Sequence, residues 1–518
     1  MIKIKTNFKT IFLLLVTFSL VTSCSDVILK ENPSTFVDPD ALLVDKAGAE
    51  IYLVGAYDAI HNLLGSGGSG VEPFAIHWGT IATDEVVVPG WGGAGRKEMY
   101  LQQVSPSMGS ISSMWRQLYK AVNIANSVVD RVGAMTPDQI ETEDKEYIVA
   151  QAKWIRAATY FALVNAFENV PLITNETIDL NNLEVSQASP AEVYDFIVQN
   201  LIEAEAHLPS EQGGGRVTKG AANALLGKVY LQMTGFPLNQ TDKFSLAEKA
   251  LNKVITSGVY DLLPNYAEVF DLEHEQSVEM IISFSMEGPG LSEGGNLSTF
   301  YGPNGSVNEG GGWGTCYINH EFRKDYETDD LRLRNNIAVH NANDVSPEEA
   351  VEIDPSTWPA TEGAWRAWKW HAEKPNSYAN DTPFDNPYIR YADVLLLYAE
   401  ALNGQGKLTQ SVLDMTVNRL RGRARAVDGA VADMVLGSQQ ENADELLAER
   451  RRELCFEGWR RFDLVRYGKY KETILNINEA GWWNAGNPGV NYEDHEIRWP
   501  IPDSEMQLNP NLVQNPGY

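Results

Sequence analysis

Cysteine is scarce in this sequence: three in 518 residues, at positions 24, 316 and 455. A small secreted fold stapled by disulfides carries more, so stability must come from a hydrophobic core, and a chain of this length can bury one. Histidine is scarce as well. There are eight, and none forms the His-x-x-x-His or His-Glu-x-x-His pair that holds zinc on a helix. Basic residues are outnumbered by acidic ones, 41 against 70, for a formal net charge of −29. Such a surface repels polyanions, which argues against nucleic acid and anionic lipid as partners and favours solubility. Signatures of chemistry are missing too. The run Gly65-Ser66-Gly67-Gly68-Ser69-Gly70 lacks the Lys-Ser/Thr that completes a phosphate loop. There is no Gly-x-Ser-x-Gly between a strand and a helix, and no twelve-residue calcium loop. The carboxylates are too many for any pair to stand out as a glycosidase couple. The expectation is no catalytic residue, no cofactor and no obligatory metal.

What is present begins with a processing signal. Lys3, Lys5 and Lys9 precede an apolar stretch at 11–21, too short to span a bilayer, and it ends in Val21-Thr22-Ser23-Cys24. This order reads as a lipobox, with residues 1–23 removed and Cys24 lipidated; the alternative is an ordinary secretory signal in which Cys24 has no role. Residues 24–45 lack periodicity and read as a tether. No later apolar run is long enough for a transmembrane helix.

Helical patterning fills residues 46–270. Trp115, Leu118, Val122, Ala125 and Val129 form one apolar stripe, and Ile148, Ala152, Ile155, Thr159 and Leu163 another, stopped by Asn169-Val170-Pro171. Leu226-Gly227-x-x-Tyr230 with Ala247, Leu251 and Val254 matches a degenerate tetratricopeptide helix pair, Gly227 and Ala247 permitting close approach. Residues 271–387 are glycine- and aromatic-rich, reading as loops with a short buried strand at 280–284. Helix resumes in the last part, 388–518. Asn386-Pro387 predicts a cap and first-turn proline, and Gly404 a stop; a final long helix is expected over 443–467. The predicted fold is mainly α, with helix pairs around a loop-rich excursion of minor β content.

Four passages then carry a resemblance. They are Gln151-Ala152-Lys153-Trp154-Ile155-Arg156-Ala157 running on to Val170-Pro171-Leu172, and Tyr388-Ile389-Arg390-Tyr391-Ala392-Asp393 running on to Glu400-Ala401-Leu402-Asn403. The others are Glu449-Arg450-Arg451-Arg452-Glu453 running on to Glu457-Gly458-Trp459-Arg460-Arg461-Phe462-Asp463, and the ending Trp499-Pro500-Ile501-Pro502 with Gln514-Asn515-Pro516-Gly517-Tyr518. In this order, and with the lipobox, they resemble the SusD/RagB family. The resemblance implies a SusD-like helical scaffold, anchored by lipid in the outer membrane and exposed at the cell surface. It implies no enzyme activity. It also implies capture of oligosaccharide or polysaccharide and delivery to a SusC-type TonB-dependent transporter. Oligopeptide capture on the same fold is the alternative, and a surface glycosidase is the unrelated one. The charged third passage reads as scaffold, its acids and bases pairing three or four residues apart along one helix.

A sugar site needs aromatic faces for C–H stacking and polar groups at their edges. Two glycine-rich loops qualify. The first holds Trp78, Asp84, Trp91 and Arg96. Trp91, between Pro89-Gly90 and Gly92-Gly93, is either presented to solvent or folded back onto the scaffold, and Asp84 either meets ligand or caps backbone. The second holds Tyr301 and Trp313. Trp368 and Trp370 read as core on a strand with Lys369 facing the other way, and Trp482-Trp483 as a third patch or a lid contact.

Overall fold

The structure, a computed structural model, describes residues 39–64, 74–90, 92–179, 181, 183–211, 213–287, 294–302, 313–319, 321–327, 329–339, 365–370, 382–426, 431–477 and 485–518. The principal helices are α1 (Lys46–Leu64), α2 (Phe74–Ile81), α3 (Ala94–Tyr100), α4 (Gly109–Ser127), α5 (Thr142–Phe167) and α6 (Pro190–His207). They continue with α7 (Lys219–Met233), α8 (Phe244–Thr256), α9 (Tyr391–Gly404), α10 (Val417–Ala424), α11 (Gln439–Leu454) and α12 (Arg460–Arg466). The strands are short: β1 (Val86–Val87), β2 (Val170–Pro171), β3 (Gln187–Ala188), β4 (Met280–Phe284), β5 (Tyr317–Ile318), β6 (Ile337–Val339), β7 (Trp365–Ala367) and β8 (Asn386–Arg390). They make four two-stranded sheets: β1 with β5, β2 with β3, β4 with β8, and β6 with β7. The fold is mainly α, as the apolar periodicity predicts.

Successive helices from α4 to α8 pack on one another, and α9 returns from far along the chain to lie on α8. One core runs through them from Leu43 to Leu512. Local chemistry starts two of these helices. Ser189 accepts from the Glu192 amide while Glu192 accepts from the Ser189 amide, and Ser438 with Glu441 repeats that box at α11. At the α7–α8 seam a Cβ on Gly227 would lie 2.5 Å from Leu251 Cδ2, so the glycine is what lets the pair close.

Two elements differ from their predicted form. Asn386-Pro387 is not a helix start; it belongs to β8, which pairs antiparallel with β4 through Ser283 and Pro387, and α9 begins at Tyr391. The long C-terminal helix is broken. α11 stops at Leu454, a turn with Phe456 and Gly458 at positive φ follows, and α12 starts at Arg460.

The break explains the charges around it. Asn442, Leu446, Glu449, Arg450 and Glu453 share the buried face of α11, and most of their ionic partners come from distant segments. Arg390 meets Glu279 at 3.0 Å, Glu453 at 2.8 Å and Glu457 at 2.9 Å. Arg332 meets Glu449 at 2.7 Å and Asp330 at 2.8 Å, and Arg450 bridges Asp393 and Asp463. Only Glu449–Arg452 and Asp463–Arg466 keep the local pairing expected of them. Glu457 turns instead to Lys369 and Arg390. Trp368 and Trp370 are core, as expected, although β7 ends at Ala367 and Lys369 is buried with them.

Candidate functional site

β1 and β5 bring the two glycine-rich loops together. Val86 pairs with Ile318 and Val87 with Tyr317, so the chain leaving β1 towards position 91 runs beside the chain entering β5 from Trp313. Gly92 packs against that second segment, where a Cβ would fall 2.8 Å from the Thr315 carbonyl oxygen. Gly93, at φ +94°, then turns the chain into α3.

From α3 the Arg96 side chain reaches back, its Nε donating to the Gly92 carbonyl at 2.6 Å and its guanidinium lying 5.2 Å over the Phe300 ring. Phe300 meets Trp313 edge to face at 4.9 Å. The Trp313 backbone is tied down, its amide donating to the Thr299 carbonyl at 2.8 Å, while its side of the stack remains 43 % exposed. The result is a fixed row, Arg96–Phe300–Trp313, drawn from three segments, with its last ring in water.

The same sheet is bolted down from behind. Arg460 grips both oxygens of Asp84 at 2.7 Å, and Arg451 bonds Asp84 at 2.5 Å and also Asp325, in the turn after β5. Burial alone would raise the Asp84 carboxyl; the two guanidinium groups outweigh it and hold it well below the usual carboxylate range. Neighbouring Glu85 accepts from the Phe456 amide at 3.1 Å. Burial wins there and pushes it up to about 8. Lys97, on α3, donates to the Val88 carbonyl at 2.9 Å and to that of Ala485.

Each residue expected at the site now has a place. Trp313 is presented to solvent. Arg96 stands two side chains behind it. Trp78 is corrected: it is 1 % exposed, with Phe462 and Trp499 rings 5.0 and 5.3 Å from its own, because its helix α2 packs into the core. Tyr301 is corrected likewise, fully buried against Phe456. Asp84 neither meets solvent nor caps a helix; its oxygens are occupied by arginines. Cys24, Trp91 and the Trp482-Trp483 pair lie outside the described residues. Phe300, Lys97, Arg451 and Arg460 were not singled out from sequence. The dense arginines at 450–452 and 460–461 were the available signal for the last two, and a two-residue strand pairing offered none for the others.

Among the described residues no helix is long and apolar enough to cross a membrane, and no three His, Cys, Asp or Glu side chains converge as metal ligands.

Comparison with known proteins agrees with this architecture. The SusD family model matches residues 349–518, and the model described as starch-binding associating with outer membrane matches residues 82–231. A SusD-like protein of Formosa agariphila, P25, is 26 % identical over 96 % of this chain and 98 % of its own. The crystal structure of a SusD homologue from Bacteroides thetaiotaomicron superposes with a TM-score of 0.80 at 26 % identity, covering 93 % of this chain and 99 % of that one. A laminarin-binding SusD-like protein superposes at 0.73 with 27 % identity, over 92 % of this chain and all of that one. The four sequence passages, the helical scaffold and these likenesses agree, and the chain belongs to the SusD/RagB family.

Proposed function

We propose that this protein binds glycan chains by stacking them on Trp313, with Trp91 as the second ring and Arg96 at the edge, and delivers them to a SusC-type TonB-dependent transporter. The observation that carries the reading is the exposed Trp313 ring, fixed edge to face on Phe300 beside the loop of Trp91. A ring braced this way offers a flat apolar face to sugar C–H groups with little further ordering on binding. Relatives support the choice of cargo: one family description reads starch-binding, and one solved relative is laminarin-binding. The protein acts as a binder and not as an enzyme. Its place is the outer membrane, held by lipid on Cys24 and facing outward.

Calorimetric titration with laminarihexaose and maltohexaose, paired with thermal melts, tests the site. Trp313→Ala and Trp91→Ala should each weaken binding by about 1–3 kcal/mol while the melting temperature holds. Variants that bind like the parent would place the site elsewhere. New reducing ends on incubation with either glycan would make the protein an enzyme. Cys24→Ala should leave the membrane fraction; continued sedimentation with membranes would refute the anchor.

A further inference from the structure

Apart from the Trp313 platform, three elements line an open pocket of about 290 Å³. One wall is a single face of α1, with Val54, Tyr57, Asp58 and His61 at helical spacing. The second is the turn Gly214-Gly215-Arg216 before α7, and the third is the end of β4, running from Phe284 through Ser285 to Glu287.

Its polar groups are held in place by bonds behind them. The Tyr57 hydroxyl donates to Gln151 Oε1 at 2.8 Å and accepts from the Val217 amide at 3.0 Å. Arg216 lies 5.3 Å over the Tyr57 ring and meets Glu50 at 3.3 Å. Gly214 and Gly215 both have positive φ, and a Cβ on Gly215 would come within 2.8 Å of Ser285 Oγ. The turn can close against β4 only because glycine stands there. This is the composition of a small-molecule site: an apolar wall with a few convergent, pre-set polar groups.

The chemistry of the rim selects the ligand. Val54, Tyr57 and Phe284 offer an apolar wall for a C–H face. Asp58 and Glu287 can accept from adjacent hydroxyls, as can Ser285, whose own proton goes to Asp385 at 3.4 Å, while Arg216 donates. Of the basic side chains lining it, Arg216 is already paired to Glu50 and His61 is buried against Met286, so the two rim acids Asp58 and Glu287 disfavour phosphate, sulfate and uronate. The volume stands just below the roughly 300–1,000 Å³ usual for ligand pockets, which suits one ring and not a chain. We propose that this cavity is a second sugar site, taking a single neutral pyranose unit independently of the Trp313 platform.

Saturation-transfer NMR on the intact protein tests it. The probes are the methyl glycosides of glucose, galactose, mannose and xylose, with methyl glucuronide and glycine amide as the anionic and cationic controls. At least one neutral glycoside should receive saturation, and still do so in Trp313→Ala, which removes only the platform. Val54→Trp should abolish that signal by filling the cavity, and the melting temperature should hold because Val54 is 52 % exposed. Glu287→Gln, at an exposed rim position, should weaken binding about tenfold and serves alone if Val54→Trp does not fold. Saturation confined to the controls, or abolished by Trp313→Ala, or unchanged in both cavity variants, would overturn the proposal.

Discussion

Arg451 joins Asp84 to Asp325, and in doing so it ties the approach to β1 to the exit from β5. The two strands that carry the aromatic loops therefore share one guanidinium on the side away from the ligand. Releasing one arm should let the loops drift apart without exposing the core.

Asp325→Asn removes the charge on the β5 arm and leaves Asp84 with both arginines. Laminarihexaose or maltohexaose affinity should fall, and the loss should shrink in a Trp313→Ala background, with a coupling of about 0.5–3 kcal/mol. Calorimetry on the four proteins of that cycle measures it. Strict additivity would mean that Arg451 does not act through Trp313.

Glu85 gives a pH signature. Its carboxyl ionises near 8 in the folded protein against 4.5 ordinarily, so between those values the folded state holds a proton that the unfolded chain has released. Stability contributed by this group is complete below about pH 4.5 and lost as pH rises towards 8, at about 1.4 kcal/mol per pH unit. Glu496, pushed up by burial to about 7, slopes the same way. Glu85→Gln should flatten the decline and melt above the parent at pH 8.5 but not at pH 5. Parallel melting curves across that range would show the residue to be ionised throughout.

Gly79 and Gly458 meet backbone to backbone. A Cβ on Gly79 would run into the Gly458 carbonyl, and Gly458 itself has φ +81°. Gly79→Ala should cost about 1–3 kcal/mol by overpacking, and Gly458→Ala about 1–2 kcal/mol from its left-handed backbone. Urea unfolding reads both. An unchanged midpoint for Gly79→Ala would mean that α2 can slide off the turn.

Asp393 holds two buried cations, Lys228 at 2.5 Å and Arg450 at 2.8 Å, and Lys228 also lies 3.4 Å over the Trp459 ring. Asp393→Asn strands Lys228 in the core and leaves Arg450 with Asp463 alone, and should cost about 3–5 kcal/mol in urea unfolding. A loss under 1 kcal/mol would mean that water reaches Lys228.

Much of this was legible in the residues. The stripes of α4 and α5, the Gly227 seam and the strand at 280–284 follow from period and from small residues at close approaches. Trp313 was legible as an exposed ring because the flanking glycines left it little to bury itself against, and Phe300 braces it on one side. Trp78 and Tyr301 misled for a related reason: they flank the same loops but stand on helices, whose packing face the short surrounding sequence did not reveal. Pro387 read as a helix start because Asn-Pro is a local signal, while the strand that claims it lies a hundred residues away. The third passage misled most. Its three-residue spacings fit local pairs, and nothing nearby announces Asp84, Arg332 or Arg390 as the true partners.

That last arrangement bears on how the chain is made. Arg332, Lys369 and Arg390 enter the interior with much of their counter-charge still unsynthesised: Asp330 and Glu279 precede them, but Glu449, Glu453 and Glu457 come only near the end. An emerging chain lacking its last seventy or so residues would strand those side chains in apolar surroundings, so that part of the core cannot close early. The C-terminal stretch acts as a keystone: an interrupted chain stays open, and one carried through to α12 locks.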